Sequence, residues 1–119
     1  LTSLVGSEMC IRDRLYMVVG TPGGSTIITS VLQIILNIHE FGMGMQESVD
    51  AGRFHHQWLP DSIRVESSFF DKNILNDIKK FGYNYYDKGP IGRVDGILIK
   101  NNKLEGGADK RGDDAAHGF

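Results

Sequence analysis

The sequence predicts an α+β fold, in which helices and paired strands occupy separate stretches of one chain. Three observations carry this. Apolar residues recur at helical spacing from Ser25 to Phe41. An alternating pattern broken by Asn101-Asn102 marks a hairpin between Val94 and Ala108. A short apolar strand, Tyr16-Met17-Val18-Val19, runs into the long helix through the glycine-rich stretch Gly20-Thr21-Pro22-Gly23-Gly24-Ser25.

The chain can be taken in order. Residues 1–14 read unlike the rest. Val5-Gly6-Ser7-Glu8-Met9-Cys10-Ile11-Arg12-Asp13-Arg14 has neither helical nor strand periodicity. It resembles a peptide that recurs when sequencing-adapter DNA is translated by mistake. We therefore expect residues 1–14 to be a non-native lead-in that packs poorly, with Met9 and Ile11 unburied. Residues 15–119 are expected to form one unit. The first helix places Ile27, Ile28, Val31, Ile34, Ile35 and Ile38 on an apolar face that Leu32 and Leu36 widen, so cover on more than one side is expected. Gly42 is placed to end it. A short helix should follow from Met45 to Ala51, with Glu47 and Asp50 outward, and Gly52 should break it.

Arg53-Phe54-His55-His56-Gln57-Trp58-Leu59-Pro60-Asp61 reads as an aromatic connection. Two adjacent His residues on a helix or strand cannot both face one metal without a further ligand. Their rings are expected to be packed and hydrogen-bonded beside Trp58. Ile63 to Glu66 alternates as a strand. Asp71 can cap a helix that runs to Phe81, with Ile74, Leu75 and Ile78 inward and Lys79-Lys80 in the last turn. Gly82 should close it. Tyr83 to Tyr86 starts a strand, Gly89-Pro90 turns the chain, and Lys103 to Ala108 returns from the hairpin. The charged tail from Asp109 onward would be mobile on composition alone.

Composition excludes several function classes. With 119 residues there is at most one domain, or part of one. A net charge of -2 gives no electrostatic pull toward nucleic acid or an anionic membrane. The single Cys10 cannot form an internal disulfide. No apolar run approaches membrane-spanning length. Leu1 is not an initiator Met and no leader pattern follows it, so the native start is expected to lie upstream.

The Gly-rich stretch is the one place where chemistry is legible. Thr21-Pro22 reads as a helix entry, since Pro suits the first helical position and Thr can cap it. Gly23 and Gly24 then fall where a helix leaves its first N–H groups unpaired. Without a Cβ, they let another atom approach those groups closely. The helix behind adds roughly half a positive charge. Two such donors suit a bound phosphate or carboxylate, or a transient oxyanion. The same residues also read as a plain strand-to-helix connection. A phosphate-binding module lacks support, because no Lys follows the glycines in the Walker spacing.

Three stretches occur together in order: Gly20-Thr21-Pro22-Gly23-Gly24-Ser25 leading into Ile27-Ile28-Thr29, then Arg53 to Asp61, then Gly107-Ala108-Asp109-Lys110-Arg111-Gly112-Asp113-Asp114. Together they resemble the C-terminal part of the small subunit of a γ-glutamyltranspeptidase, from Leu15 to Phe119. The resemblance implies an N-terminal-nucleophile hydrolase with an αββα sandwich, of which this chain is a C-terminal fragment. It implies a precursor that cuts itself and a Thr nucleophile that attacks γ-glutamyl amides such as glutathione. The acyl group then passes to water, an amino acid or a peptide. Gly23 and Gly24 would supply the oxyanion-hole N–H groups and so contact the substrate.

The nucleophile is not expected in this chain; Thr2, Thr21, Thr26 and Thr29 do not sit in its motif. The Arg that binds substrate carboxylate belongs to the large subunit. The family's Ser-Ser pair would fall near Thr2-Ser3, where the flanks do not match, and is not carried over. Gly52 and Lys110 stand where the family often has Pro. No metal or organic cofactor is implied. The expected partners are the large subunit and the N-terminal part of the small subunit. The isolated chain is expected to be inactive. The family's location is periplasmic, extracellular or at the outer membrane face. Asp109, Arg111, Asp113 and Asp114 would on this reading form an ion-paired lock rather than a free tail.

Overall fold

The structure, a computed structural model, describes residues 14–118 and the backbone of residues 5–11. Its elements are β1 (Val5–Ile11), β2 (Arg14–Thr21), α1 (Thr26–His39), α2 (Met45–Asp50), β3 (Phe54–His55), β4 (Ile63–Val65), α3 (Lys72–Lys80), β5 (Tyr85–Tyr86), β6 (Asp95–Lys100) and β7 (Lys103–Gly107). The architecture is α+β. Where the sequence suggests a single unit, the chain forms two: residues up to Asp50 together with those from Gly92 onward, and Ala51–Ile91. The physical reason is that the 51–91 segment closes a small core of its own.

The first unit is an antiparallel sheet of order β1-β2-β6-β7 with α1 and α2 on one face. Met17 and Val19 of β2 and Leu98 of β6 point toward the helices, where they meet Val31, Ile34 and Ile38 of α1 and Met45 and Val49 of α2. The turn between β6 and β7 has both Asn101 and Asn102 at positive φ (51° and 61°), the geometry that matches strand twist in a two-residue hairpin. Gly96 and Gly107 pair across β6 and β7 and form the seat of Met45. A Cβ on Gly107 would lie 2.9 Å from Met45 Cγ and 3.0 Å from the Met45 carbonyl oxygen. Glu105 Oε1 accepts the Met45 N–H at 2.9 Å, capping α2 from the neighbouring strand. Gln46 pairs its side-chain amide with both the N–H and the carbonyl of Ala108.

Two expectations change here. The lead-in carries no strand pattern, yet its backbone from Val5 to Ile11 forms β1, antiparallel to β2, with an irregularity between Met9 and Cys10. Pairing along a sheet edge uses backbone groups and needs no alternation of side chains. The packing expected of Met9 and Ile11 concerns side chains outside the described residues. In α1 the apolar stripe is wider than its cover: Ser30, Val31, Ile34 and Ile38 are buried, whereas Ile28 is 78% exposed and Leu32 and Leu36 also face outward. On the opposite face of the sheet Ala116 of the tail lies against Gly106, while Val18 is half-buried, Ile97 exposed and Leu104 74% exposed.

The second unit pairs β3 with β4 antiparallel and β4 with β5 parallel. Its core is Val65, Leu75 and Ile91 around the buried Arg53 and Glu66. Glu66 accepts the Arg53 N–H at 2.8 Å and the Ile91 N–H at 3.0 Å. Arg53 donates to the Ile91 carbonyl at 2.8 Å. The carboxylate thus closes the segment on itself by gathering amides from both of its ends. Asp71 caps α3 through the Asn73 N–H, and Leu75 is its buried anchor. Ile74, expected inward, is exposed, because a nine-residue helix needs only one narrow stripe against so small a core.

The tail is held rather than free. Asp109 is fully buried and accepts the Val94 N–H at 2.7 Å and the Arg111 N–H at 3.0 Å. Arg111 Nη1 bridges Asp109 and the Val49 carbonyl. Arg93 grips Asp114 with two bonds of 2.7 and 2.5 Å. That grip, chiefly through its hydrogen bond, lowers the Asp114 carboxyl below the usual range. Burial, followed by the nearby Asp114 charge, raises Asp95, against the effect of the Asp109 N–H it accepts.

Two outcomes follow from this packing. Gly107→Ala should lower unfolding stability by roughly 1–3 kcal/mol through overpacking, read in urea; an unchanged midpoint would contradict the Met45 seat. Asp95→Asn should raise stability at pH 7, since an acid whose folded pKa is raised is penalised when charged. The gain should shrink as pH falls through the folded pKa, where the wild-type carboxyl takes up its own proton. A gain that grew toward acid pH would contradict the assignment.

Candidate functional site

The site is assembled where β2 leaves the sheet. β2 lies between β1 and β6, so its end is fixed from both sides, with Gly20 opposite Asp95. Thr21, the last strand residue, is fully buried. Pro22 is half-buried, and Gly23, Gly24 and Ser25 are exposed. Gly23 has φ +136°, a backbone conformation that L side chains rarely adopt. It turns the chain out of extended geometry, and α1 begins at Thr26.

The expected helix entry is therefore displaced. Thr21 does not cap α1. Pro22, two glycines and Ser25 separate it from the first helical residue, too far for its hydroxyl to reach the second or third helical N–H. Instead the Thr21 hydroxyl donates to the Pro22 carbonyl at 3.0 Å and accepts the Arg93 N–H at 3.1 Å. Ser25 occupies the cap position with helical dihedrals and no side-chain cap bond. The first contact of the helix is made by the Ile27 N–H, which donates to the Gly24 carbonyl at 3.2 Å.

Gly23 and Gly24 are adjacent on this exposed turn, and no hydrogen bond from either amide is made to an acceptor among the described residues. The first turn of α1 carries no acidic side chain, so no carboxylate there offsets its positive end. The two glycines differ in the room beside them. A Cβ on Gly23 would lie 3.3 Å from Thr26 Oγ1, whereas a Cβ on Gly24 would have nothing within 4 Å. Gly24 also lies outside the left-handed region. The arrangement can offer two backbone donors, side by side, to an acceptor that arrives from outside.

The His pair lies elsewhere, in the second unit. Buried His55 Nε2 bonds Gln57 Oε1 at 2.9 Å, and His56 faces Asp61 at 3.5 Å. Among the described residues no three His, Cys, Asp or Glu side chains converge as metal ligands would. No helix among them is long and apolar enough to cross a membrane.

Residues 2–119 match the family model of γ-glutamyltranspeptidase. This chain belongs to that family. The glutathione hydrolase proenzyme of Escherichia coli K12 is 38% identical over 120 residues, covering 98% of this chain and 20% of that precursor. The corresponding proenzyme of Pseudomonas sp. strain A14 is 40% identical, covering 89% of this chain and 18% of its own length. The chain thus spans about a fifth of the length of these relatives. Among solved structures, acivicin-inhibited γ-glutamyltranspeptidase superposes with a TM-score of 0.87 at 35% identity, covering 95% of this chain and 62% of that one.

Both candidate residues read from the sequence, Gly23 and Gly24, lie on one turn. What the sequence does not reveal is the pair behind them. Thr21 reads as a cap, and Arg93 lies 72 positions away with no local signal. Gly23→Ala should cost about 1–3 kcal/mol of stability because of its backbone angle. Gly24→Ala should be neutral or stabilise by up to about 1 kcal/mol. Chemical denaturation of the two variants checks this; equal losses would contradict the geometry of the turn.

Proposed function

We propose that this chain is the C-terminal part of the small subunit of a γ-glutamyltranspeptidase precursor. In it, Gly23 and Gly24 form the oxyanion hole. The observation that carries this is the pair of exposed, unengaged amides at the end of an interior strand, in a chain so similar to glutathione hydrolase proenzymes.

The reaction asks two things of the protein. A Thr at the N-terminus of the small subunit, outside this chain, attacks the carbonyl carbon of a γ-glutamyl amide such as glutathione. The carbonyl oxygen gains negative charge as the carbon becomes tetrahedral. The Gly23 and Gly24 N–H groups donate to that oxygen, at the positive end of α1. Collapse of the intermediate expels the amine and leaves a γ-glutamyl ester on the Thr, and water, an amino acid or a peptide then takes the acyl group. A single donor of this kind lowers the barrier by about 2.7–4 kcal/mol. Bare glycines suit the place because a side chain would stand where the acyl carbon must come.

The rest of the precursor completes the fold. The face of the sheet opposite the helices, with Val18, Ile97 and Leu104, is where a second sheet would pack to give the αββα sandwich. The outer stripe of α1, Ile28, Leu32 and Leu36, would take further cover from the same precursor. Stacked sheets of this kind lie about 10 Å apart and bury such alternating apolar positions. A phosphate-binding reading gains nothing from the geometry, since no Lys or Arg occurs between Gly20 and His39.

The test is Gly24→Ala in the complete enzyme carrying this chain. Its turnover of a γ-glutamyl anilide should fall by about 10²-fold or more, with a smaller change in KM. Unchanged turnover would contradict the proposal, as would hydrolysis of the anilide by the 119-residue chain alone.

A further inference from the structure

The Thr21 hydroxyl has a task that a capping or space-filling role does not describe. It accepts the Arg93 N–H at 3.1 Å, which commits a lone pair and leaves its proton for the Pro22 carbonyl at 3.0 Å. That carbonyl and the Gly23 N–H belong to one peptide unit. The unit is planar, and in the trans form its C=O and N–H point in opposite directions. A bond that fixes the Pro22 oxygen therefore fixes the direction of the Gly23 N–H. Gly23 itself supplies no such restraint, since glycine at this angle leaves the peptide free to rotate.

We propose that Thr21 is a positioning residue that aims the Gly23 N–H at the developing oxyanion by holding the opposite end of the same peptide. The inference rests on the oxyanion reading of Gly23 and Gly24 and adds to it the group that sets their geometry. The anchorage of Thr21 comes from the far end of the chain. Arg93 is held against Asp114 by its side chain, and the next residue, Val94, donates its N–H to buried Asp109. The C-terminal lock thus holds the backbone that holds Thr21. Thr21 is fully buried, so its hydroxyl is shielded from solvent.

The experiment compares Thr21→Val, Thr21→Ser and Gly23→Ala in the complete enzyme, with a γ-glutamyl anilide as substrate. Val keeps the shape and removes the hydroxyl; Ser keeps the hydroxyl. We expect Thr21→Val to lower kcat about 10- to 100-fold with KM changed by less than about twofold, because misaiming a donor weakens transition-state contacts selectively. Thr21→Ser should restore kcat to within about threefold of wild type. A shape-only role predicts the reverse ranking, since Val is the better isostere. If Thr21→Val keeps wild-type kcat while Gly23→Ala loses it, the positioning claim is overturned and the oxyanion reading stands. If both keep it, the oxyanion reading itself fails. Should Thr21→Val not fold, residue-resolved hydrogen exchange on the wild-type enzyme decides. The Arg93 amide should be protected and the Gly23 amide should not; the opposite pattern overturns the proposal.

Discussion

At the end of β2 the chain must leave extended geometry, pass Gly23 at φ +136°, and wind into α1 at Thr26. That sharp passage, made beside a strand paired on both sides, governs the rest. It leaves the glycine amides outside the helix and exposed, while the buried strand behind them is gripped by β1 and β6. Rigidity on one side and open donors on the other are what preorganised stabilisation of charge requires.

The remainder of the first unit supports this junction. The helices cover one face of the sheet because Gly96 and Gly107 let Met45 approach the backbone, and Glu105 and Gln46 bind α2 to β7. The buried Asp109 carboxylate collects amides from Val94, just before β6, and from the tail, so the C-terminus belongs to the fold rather than trailing from it. In this chain the tail reaches the glycine turn through Arg93 and Thr21.

Much of this was legible in the residues. Helical spacing from Ser25 to Phe41, the Asn101-Asn102 turn and the Asp71 cap act through neighbours in sequence, and the structure has them within a residue or two. The glycine pair was legible for the same reason, as a local departure from both strand and helix chemistry. The function of Thr21 was not, because its partner is a backbone N–H 72 positions away, in the segment before β6, and any residue but Pro could supply it. The backbone of β1 was missed because an edge strand can pair without a side-chain pattern. The exposed flank of α1 was not legible, because periodicity gives the width of the apolar stripe but not how much of it the sheet covers.

The most direct measurement is the structure of the complete enzyme with a tetrahedral or acyl-enzyme mimic trapped on the nucleophile. The account predicts the carbonyl-derived oxygen about 2.7–3.1 Å from the backbone nitrogens of both Gly23 and Gly24. An oxygen held by other donors, or glycine amides bonded instead to protein carbonyls, would contradict it.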